Sequence, residues 1–73
     1  MMDWVFKFKE RIKESRIESG YSMRAFAEKL GVSLQSVYKW ESKKNKFLPN
    51  IDHLIELCRV TGKTPNWLLT GKE

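Results

Sequence analysis

Apolar residues recur along this chain at steps of three and four, broken by short polar stretches that each hold a glycine or a proline. No segment alternates strictly over the length of a strand, so the pattern predicts helices throughout. Phe8, Ile12, Ser15 and Ser19 share one face of a first helix, with Trp4 and Val5 at its N-terminal end. Phe26, Ala27 and Leu30 line a second helix. Leu54, Leu57, Cys58 and Thr61, with Ile51 and Ile55 beside them, line a fourth.

The helix ends carry their own signals. Asp3 is the expected N-cap of a first helix over about residues 4–19, and Gly20 its stop. Ser22 caps a second over 23–30, which Gly31 ends. Ser33 caps a third over 34–42. Asn50 caps a fourth over 51–61, stopped by Gly62. Thr64 caps a short fifth over 65–69, with Pro65 in its first turn and Gly71 after it. Five helices this short cannot form an elongated bundle, so the expected fold is all-α, a compact five-helix domain with steep crossings.

The third helix differs from the others in what it leaves outside. At about 100° per residue, Val37 marks its core side, with Trp40 and Glu41 flanking. Gln35, Lys39 and Ser42 lie opposite, and Leu34, Ser36 and Tyr38 sit on the borders. A solvent face of Gln, Lys, Ser and Tyr offers donors and acceptors for base edges and a cation for guanine or phosphate. An ordinary wet helix face would look similar. The turn before it adds weight. Ala27 is small enough for two helices to approach closely, Gly31 suits a bend that needs a positive φ, and Val32 with Val37 plugs the angle between the helices. Such a turn also occurs in simple αα-hairpins. Joined to the polar row and to the loop Lys43-Lys44-Asn45-Lys46, it favours a DNA-reading helix-turn-helix at helices two and three. The loop could be a solvated charge run. Its place directly after the reading helix favours phosphate contact.

Composition narrows the alternatives. Seventy-three residues make one small domain spanning 1–73, with a modest core and net stability of roughly 3–5 kcal/mol. A net charge of +5 is a mild bias toward polyanions. The lone Cys58 cannot form an internal disulfide, which fits a reducing cytoplasm. It falls on the core stripe, where inert burial is expected. His53 lies on the outer side of its helix with no second ligand at metal spacing. No apolar run approaches the ~20 residues that span a bilayer, and the first residues do not read as a signal peptide. There is no Gly-rich phosphate loop, no Ser–His–Asp set and no carboxylate pair in a plausible cleft. The expectation is a protein that is not an enzyme by itself, with no cofactor, no metal, no membrane partner and no evident small-molecule ligand.

Several segments together resemble a known family. They are Arg11-Ile12-Lys13, Arg16-Ile17-Glu18-Ser19-Gly20-Tyr21-Ser22, Phe26-Ala27-Glu28-Lys29-Leu30-Gly31-Val32-Ser33, Val37-Tyr38-Lys39-Trp40-Glu41 and Asn66-Trp67-Leu68-Leu69-Thr70-Gly71. The chain resembles, from about Phe8 to Gly71, the lambda-repressor-like helix-turn-helix domains of phage repressors, Cro proteins and related bacterial regulators. The resemblance implies that Leu34, Gln35 and Lys39 read base edges in the major groove. It implies that the start of helix two and the loop after helix three grip the DNA backbone. The backbone set is then Ser22, Arg24, Ser33, Ser36, Tyr38, Ser42, Lys43, Lys44, Asn45 and Lys46. Two positions depart from the family pattern. Met23 stands where a phosphate-contacting glutamine is frequent, and Leu34 replaces a frequent polar reader, leaving it apolar contact such as a thymine methyl. Related repressors also pair an arginine and a glutamate at Arg16 and Glu41. The wheel turns Glu41 toward the core, where an unpaired carboxylate would be expensive. Reaching solvent past Trp40 is the other way out.

The implied function is sequence-specific binding of a double-stranded DNA operator in the cytoplasm, at the nucleoid, most simply as a repressor acting as a homodimer on DNA. The alternative is an antitoxin-type or controller protein that binds DNA and a protein partner. Phe6 and Ile17, nearly opposite the buried stripe of helix one, are its candidate surface. The ending resembles the point where phage repressors pass into a linker, so the chain reads either as the N-terminal fragment of a longer repressor or as a complete small regulator.

Overall fold

Side-chain oxygens close the N-termini of four helices and so fix where each begins. Ser22 Oγ accepts the Ala25 N–H at 3.1 Å, Ser33 Oγ that of Ser36 at 3.0 Å, Asn50 Oδ1 that of His53 at 2.8 Å, and Thr64 Oγ1 that of Trp67 at 3.0 Å. Each satisfies one of the donors that a helix start leaves without a partner. The computed structural model, which describes residues 3–73, contains α1 (Asp3–Glu18), α2 (Met23–Leu30), α3 (Leu34–Glu41), α4 (Ile51–Thr61) and α5 (Pro65–Thr70). The capping role expected of the Asp3 side chain lies outside what is described, and α1 already includes Asp3. It ends at Glu18 rather than Ser19. Ser42 follows α3 as its C-cap, in extended backbone, and α5 runs one residue further than expected.

The turn between α2 and α3 needs its glycine for conformation rather than space. Gly31 has φ +73°, and a Cβ built there would meet nothing within 4 Å. Its N–H donates to Glu28 O at 3.2 Å, and the Val32 N–H donates to Ala27 O at 3.0 Å. That pair of reversed bonds is the Schellman ending, which only a left-handed residue can make without strain. The chain then swings directly into the Ser33 cap, so α2 and α3 pack at a fixed angle.

Helix α1 lies across α3, α4 and α5, and α4 packs on both α2 and α5. Phe8, Ile12, Phe26, Ala27, Leu30, Val37, Trp40, Leu57 and Leu68 form one core. The radius of gyration of 11.0 Å is what about 73 residues occupy as a globule. Six expectations about burial are corrected. Trp4 is half exposed, and Ser19 is half-buried rather than buried. Ile51 and Ile55 are 70% and 57% exposed, because α4 turns only Leu57 fully inward, with Leu54, Cys58 and Thr61 half-buried. His53 is not an outer-surface residue. Its ring packs against Trp40 with centroids 5.2 Å apart. Lys9, absent from the expected core, is fully buried.

Candidate nucleic-acid interface

Helix α3 is held from behind by charge as well as by apolar packing. Val37, Trp40 and Glu41 form the inner face of α3. Glu41 Oε2 accepts from Arg16 Nε at 2.7 Å, and Oε1 from Arg16 Nη2 at 3.1 Å. Arg16 Nη1 also donates to Tyr21 O at 2.8 Å. The side chains are 10% and 2% exposed, so this is a buried, bidentate pair joining α1 to the end of α3 and to the turn before α2.

The outer face of α3 is open. Gln35, Lys39, Tyr38 and Leu34 are exposed, the last of them giving the face an apolar border. Lys39 Nζ rests 4.7 Å from the centroid of the Phe47 ring, within cation–π range. Its long stem leaves it free to reach outward. Ser36 is half-buried, with its N–H given to Ser33 Oγ and its own Oγ 3.0 Å from the same oxygen. Ser22 and Ser33 are thus engaged first as caps, and any contact they make to a ligand uses their remaining capacity. Arg24 is exposed at the start of α2, whose first backbone N–H groups have no partner within the helix. Met23 packs against the core.

The loop after α3 is more structured than a solvated charge run. Lys44 and Lys46 are exposed. Lys43 pairs with Glu10 of α1, both about half exposed, and that ammonium holds the Glu10 carboxyl below its ordinary range. Ser42 Oγ accepts the Lys44 N–H at 3.2 Å. Asn45 is turned inward rather than toward solvent: its Oδ1 accepts from the Phe47 N–H at 2.8 Å and from Lys9 Nζ at 3.1 Å. Its place among the backbone-gripping residues therefore rests on its amide nitrogen alone.

Sequence reasoning misses two residues of this region. Lys9 is one, and its spacing held the signal: Val5, Lys9, Ile12 and Arg16 fall at steps of four, three and four, on one buried stripe of α1. Lys13 is the other. It is exposed and, with Met23, Tyr38, Glu41 and Ser42, lines a small cleft where α1, α2 and α3 meet. Cys58 is half-buried, and burial pushes its thiol pKa up, away from the reactive thiolate. Among the described residues no three His, Cys, Asp or Glu side chains gather as a metal site would require, and no helix is long and apolar enough to cross a membrane.

The sequence profile of the Helix-turn-helix family matches residues 12–68. An uncharacterized HTH-type transcriptional regulator of Haemophilus influenzae is 35% identical over 65 residues, covering 89% of this chain and 26% of that protein. The SPbeta prophage-derived uncharacterized HTH-type transcriptional regulator YonR of Bacillus subtilis is 34% identical over 64 residues, covering 88% of this chain and 57% of that protein. The chain thus spans about a quarter and just over half of these two relatives. Among solved structures, the P22 c2 repressor in complex with a synthetic operator superposes with a TM-score of 0.77 at 28% identity, over 89% of this chain and 96% of that one. A capped, glycine-jointed α2–α3 pair, a five-helix all-α fold and these three likenesses agree, and the chain belongs to the helix-turn-helix family in its lambda-repressor-like form.

Proposed function

We propose that this domain binds double-stranded DNA sequence-specifically as the reading module of a transcriptional regulator, and that it does so as a repressor of the phage or prophage type. The observation that carries the reading is the open Gln35–Lys39 face of α3, locked from behind by Arg16 and Glu41, in a fold shared with a repressor crystallised on its operator. Gln35 lies near the N-terminus of α3, the end that enters the major groove in this geometry. Lys39 lies one turn further along the same face. Leu34 adds an apolar contact. Arg24, the N-terminus of α2, Tyr38 and the loop cations address phosphates, which position the helix without specifying sequence. Such a module acts at the nucleoid and without catalysis.

One helix contacts too few base pairs for adequate selectivity, so the proposal includes a homodimer on two half-sites. Apolar side chains remain for a second copy. Ile51 and Ile55 lie one turn apart on α4, and Leu69 stays 38% exposed on α5, while Leu68 is buried and Trp67 packs half-buried against the core with the Lys63 ammonium over its ring. A second reading, a regulator that also holds a protein partner, is favoured by Phe6 and Ile17. Both are exposed on the outer face of α1, and Ile17 borders a shallow groove with Glu10, Glu14 and Glu18. Copurification of a stoichiometric partner on that face would select it.

Selection of bound duplexes from a random pool tests function and half-site spacing together. A recovered motif in two copies about one helical turn apart is the expected result. A pool that never converges would sink the sequence-specific reading. On the recovered site, Gln35→Ala is expected to cost about 1–3 kcal/mol of binding and to relax preference at one or two base pairs. Equal weakening on all sequences would show that Gln35 does not read bases. Neutralising Lys44 or Lys46 is expected to weaken specific and random DNA alike, and to shrink the log–log salt slope by about 0.9 for each phosphate no longer neutralised. Lys43 is expected to contribute less, because Glu10 already holds it.

A further inference from the structure

We infer that Lys9 is a positioning residue for DNA binding, a buried cation that fixes the end of the reading helix and the phosphate-facing loop in one arrangement. This inference rests on the DNA-binding reading above. Lys9 is fully buried on α1, and four oxygens surround its Nζ. Lys39 O and Phe47 O lie at 2.7 Å, Asn45 Oδ1 at 3.1 Å, and Trp40 O at 3.5 Å. An ammonium has three N–H bonds and no acceptor. The three closer oxygens therefore take all of them, and the fourth sits at the edge of contact.

The four oxygens come from two places that must be aligned for binding. Lys39 and Trp40 belong to the last turn of α3, whose carbonyls have no partner further along the helix. A cation there also meets the negative end of the helix dipole. Asn45 and Phe47 belong to the following loop. Among the described residues, every hydrogen bond from residues 44–48 to the body of the domain ends on Lys9 Nζ. The remaining bonds of that segment are internal to residues 42–47. Glu10, the next residue of α1, holds Lys43 at the near end of the same loop. Two consecutive residues of α1 thus tether the segment that carries Lys43, Lys44 and Lys46.

An apolar side chain at position 9 could fill the same space but could not tie these groups together. It would leave the Lys39, Trp40 and Phe47 carbonyls without this donor and Asn45 Oδ1 with the Phe47 N–H alone, and the loop would relax toward water to satisfy them. The lysines would then meet phosphates at an added cost in order. Lys9 itself touches no DNA, being buried, so its effect is carried entirely by the groups it holds.

The test compares wild type with Lys9→Met in two ways. Without DNA, amide hydrogen exchange is read across the last turn of α3 and residues 43–48. With DNA, affinity is read against salt for the selected duplex and for a random one. Ile12→Val, a core change on the same helix, controls for reduced stability, and Lys7→Met, on its exposed side, controls for the missing charge. If Lys9→Met is too unstable, all proteins are compared in the same concentration of sucrose, which favours the folded state. The expected result is faster exchange confined to the loop and the α3 end, about tenfold or more weaker binding to both duplexes, and a salt slope smaller by about one to two. Neither control should change the slope. An unchanged slope in Lys9→Met, or loop exchange no faster than in Ile12→Val, overturns the positioning role while leaving DNA binding intact. Absence of DNA binding by the wild type would overturn both readings at once.

Discussion

Arg16→Ala is expected to destabilise the domain by about 3–5 kcal/mol, because it strands a carboxylate that is almost completely buried. For a fold of this size that is most or all of the net stability, so the variant should be largely unfolded at 25 °C without stabilising solute. Glu41→Ala should cost somewhat less. The Arg16 side chain that remains is the more exposed partner, and its Nη1 still has Tyr21 O at 2.8 Å. The double substitution leaves neither charge stranded and should cost less than the two singles added together. Urea unfolding of all four proteins gives the cycle, and the coupling should lie in the range of about 0.5–3 kcal/mol found for contacting residues. Strict additivity would mean that the pair contributes nothing as a pair. The link to function is geometric. Glu41 is the last residue of α3, so the pair sets how far α3, the proposed reading helix, stands from α1. Combining Arg16→Met with Glu41→Leu, apolar on both sides, tests this directly. That protein can match the wild type in stability, yet a shifted α3 would still lower operator affinity.

How far the sequence disclosed this arrangement depends on whether the deciding chemistry is local. The four caps and the Gly31 joint involve groups within five residues of one another, and their residue types admit few alternatives. The helix boundaries and the turn were therefore readable. Glu41 was readable for a different reason: its wheel position pointed inward, and a buried carboxylate demands a partner. What could not be read depended on which element ends up opposite which. Ile51 and Ile55 have the composition of core residues, but α4 meets its neighbours along Leu57 and the residues flanking it, and nothing in the described chain lies over the other side. Lys9 sat on the apolar stripe in plain view. A lysine is ordinarily assigned to water, and the oxygens that make its burial tolerable come from residues 39–47, thirty or more positions away. Asn45 is inward-facing for the same non-local reason. His53 meets Trp40 only once α4 has packed.

The largest functional effect should come from the DNA rather than from the protein. If the domain acts as the proposed dimer, a duplex carrying both half-sites is expected to bind about 10²–10⁴ times more tightly than a duplex carrying one, because the first copy presents the second half-site to its neighbour at high effective concentration. Free protein should sediment mostly as monomer at low micromolar concentration. The apolar side chains left for a contact are few, and α5 spends Leu68 on the core. Small contacts of this kind become effective when the DNA has already aligned the copies. The site of contact can be separated from the site of reading by Ile55→Gln. Ile55 is 57% exposed, so the substitution should leave the fold unchanged. It adds no charge, so the salt dependence on a single half-site should also be unchanged. Its expected effect is confined to the gain between one half-site and two, which should fall by at least several-fold. The spacing of the half-sites offers an independent check. Inserting five base pairs rotates one copy by about half a turn relative to the other and should abolish the gain, while ten should not restore it in full, since the second copy then lies about 34 Å further away. A tight one-to-one complex on a single half-site, with no gain from adding the second, would refute the dimeric mechanism and leave α3 reading DNA alone.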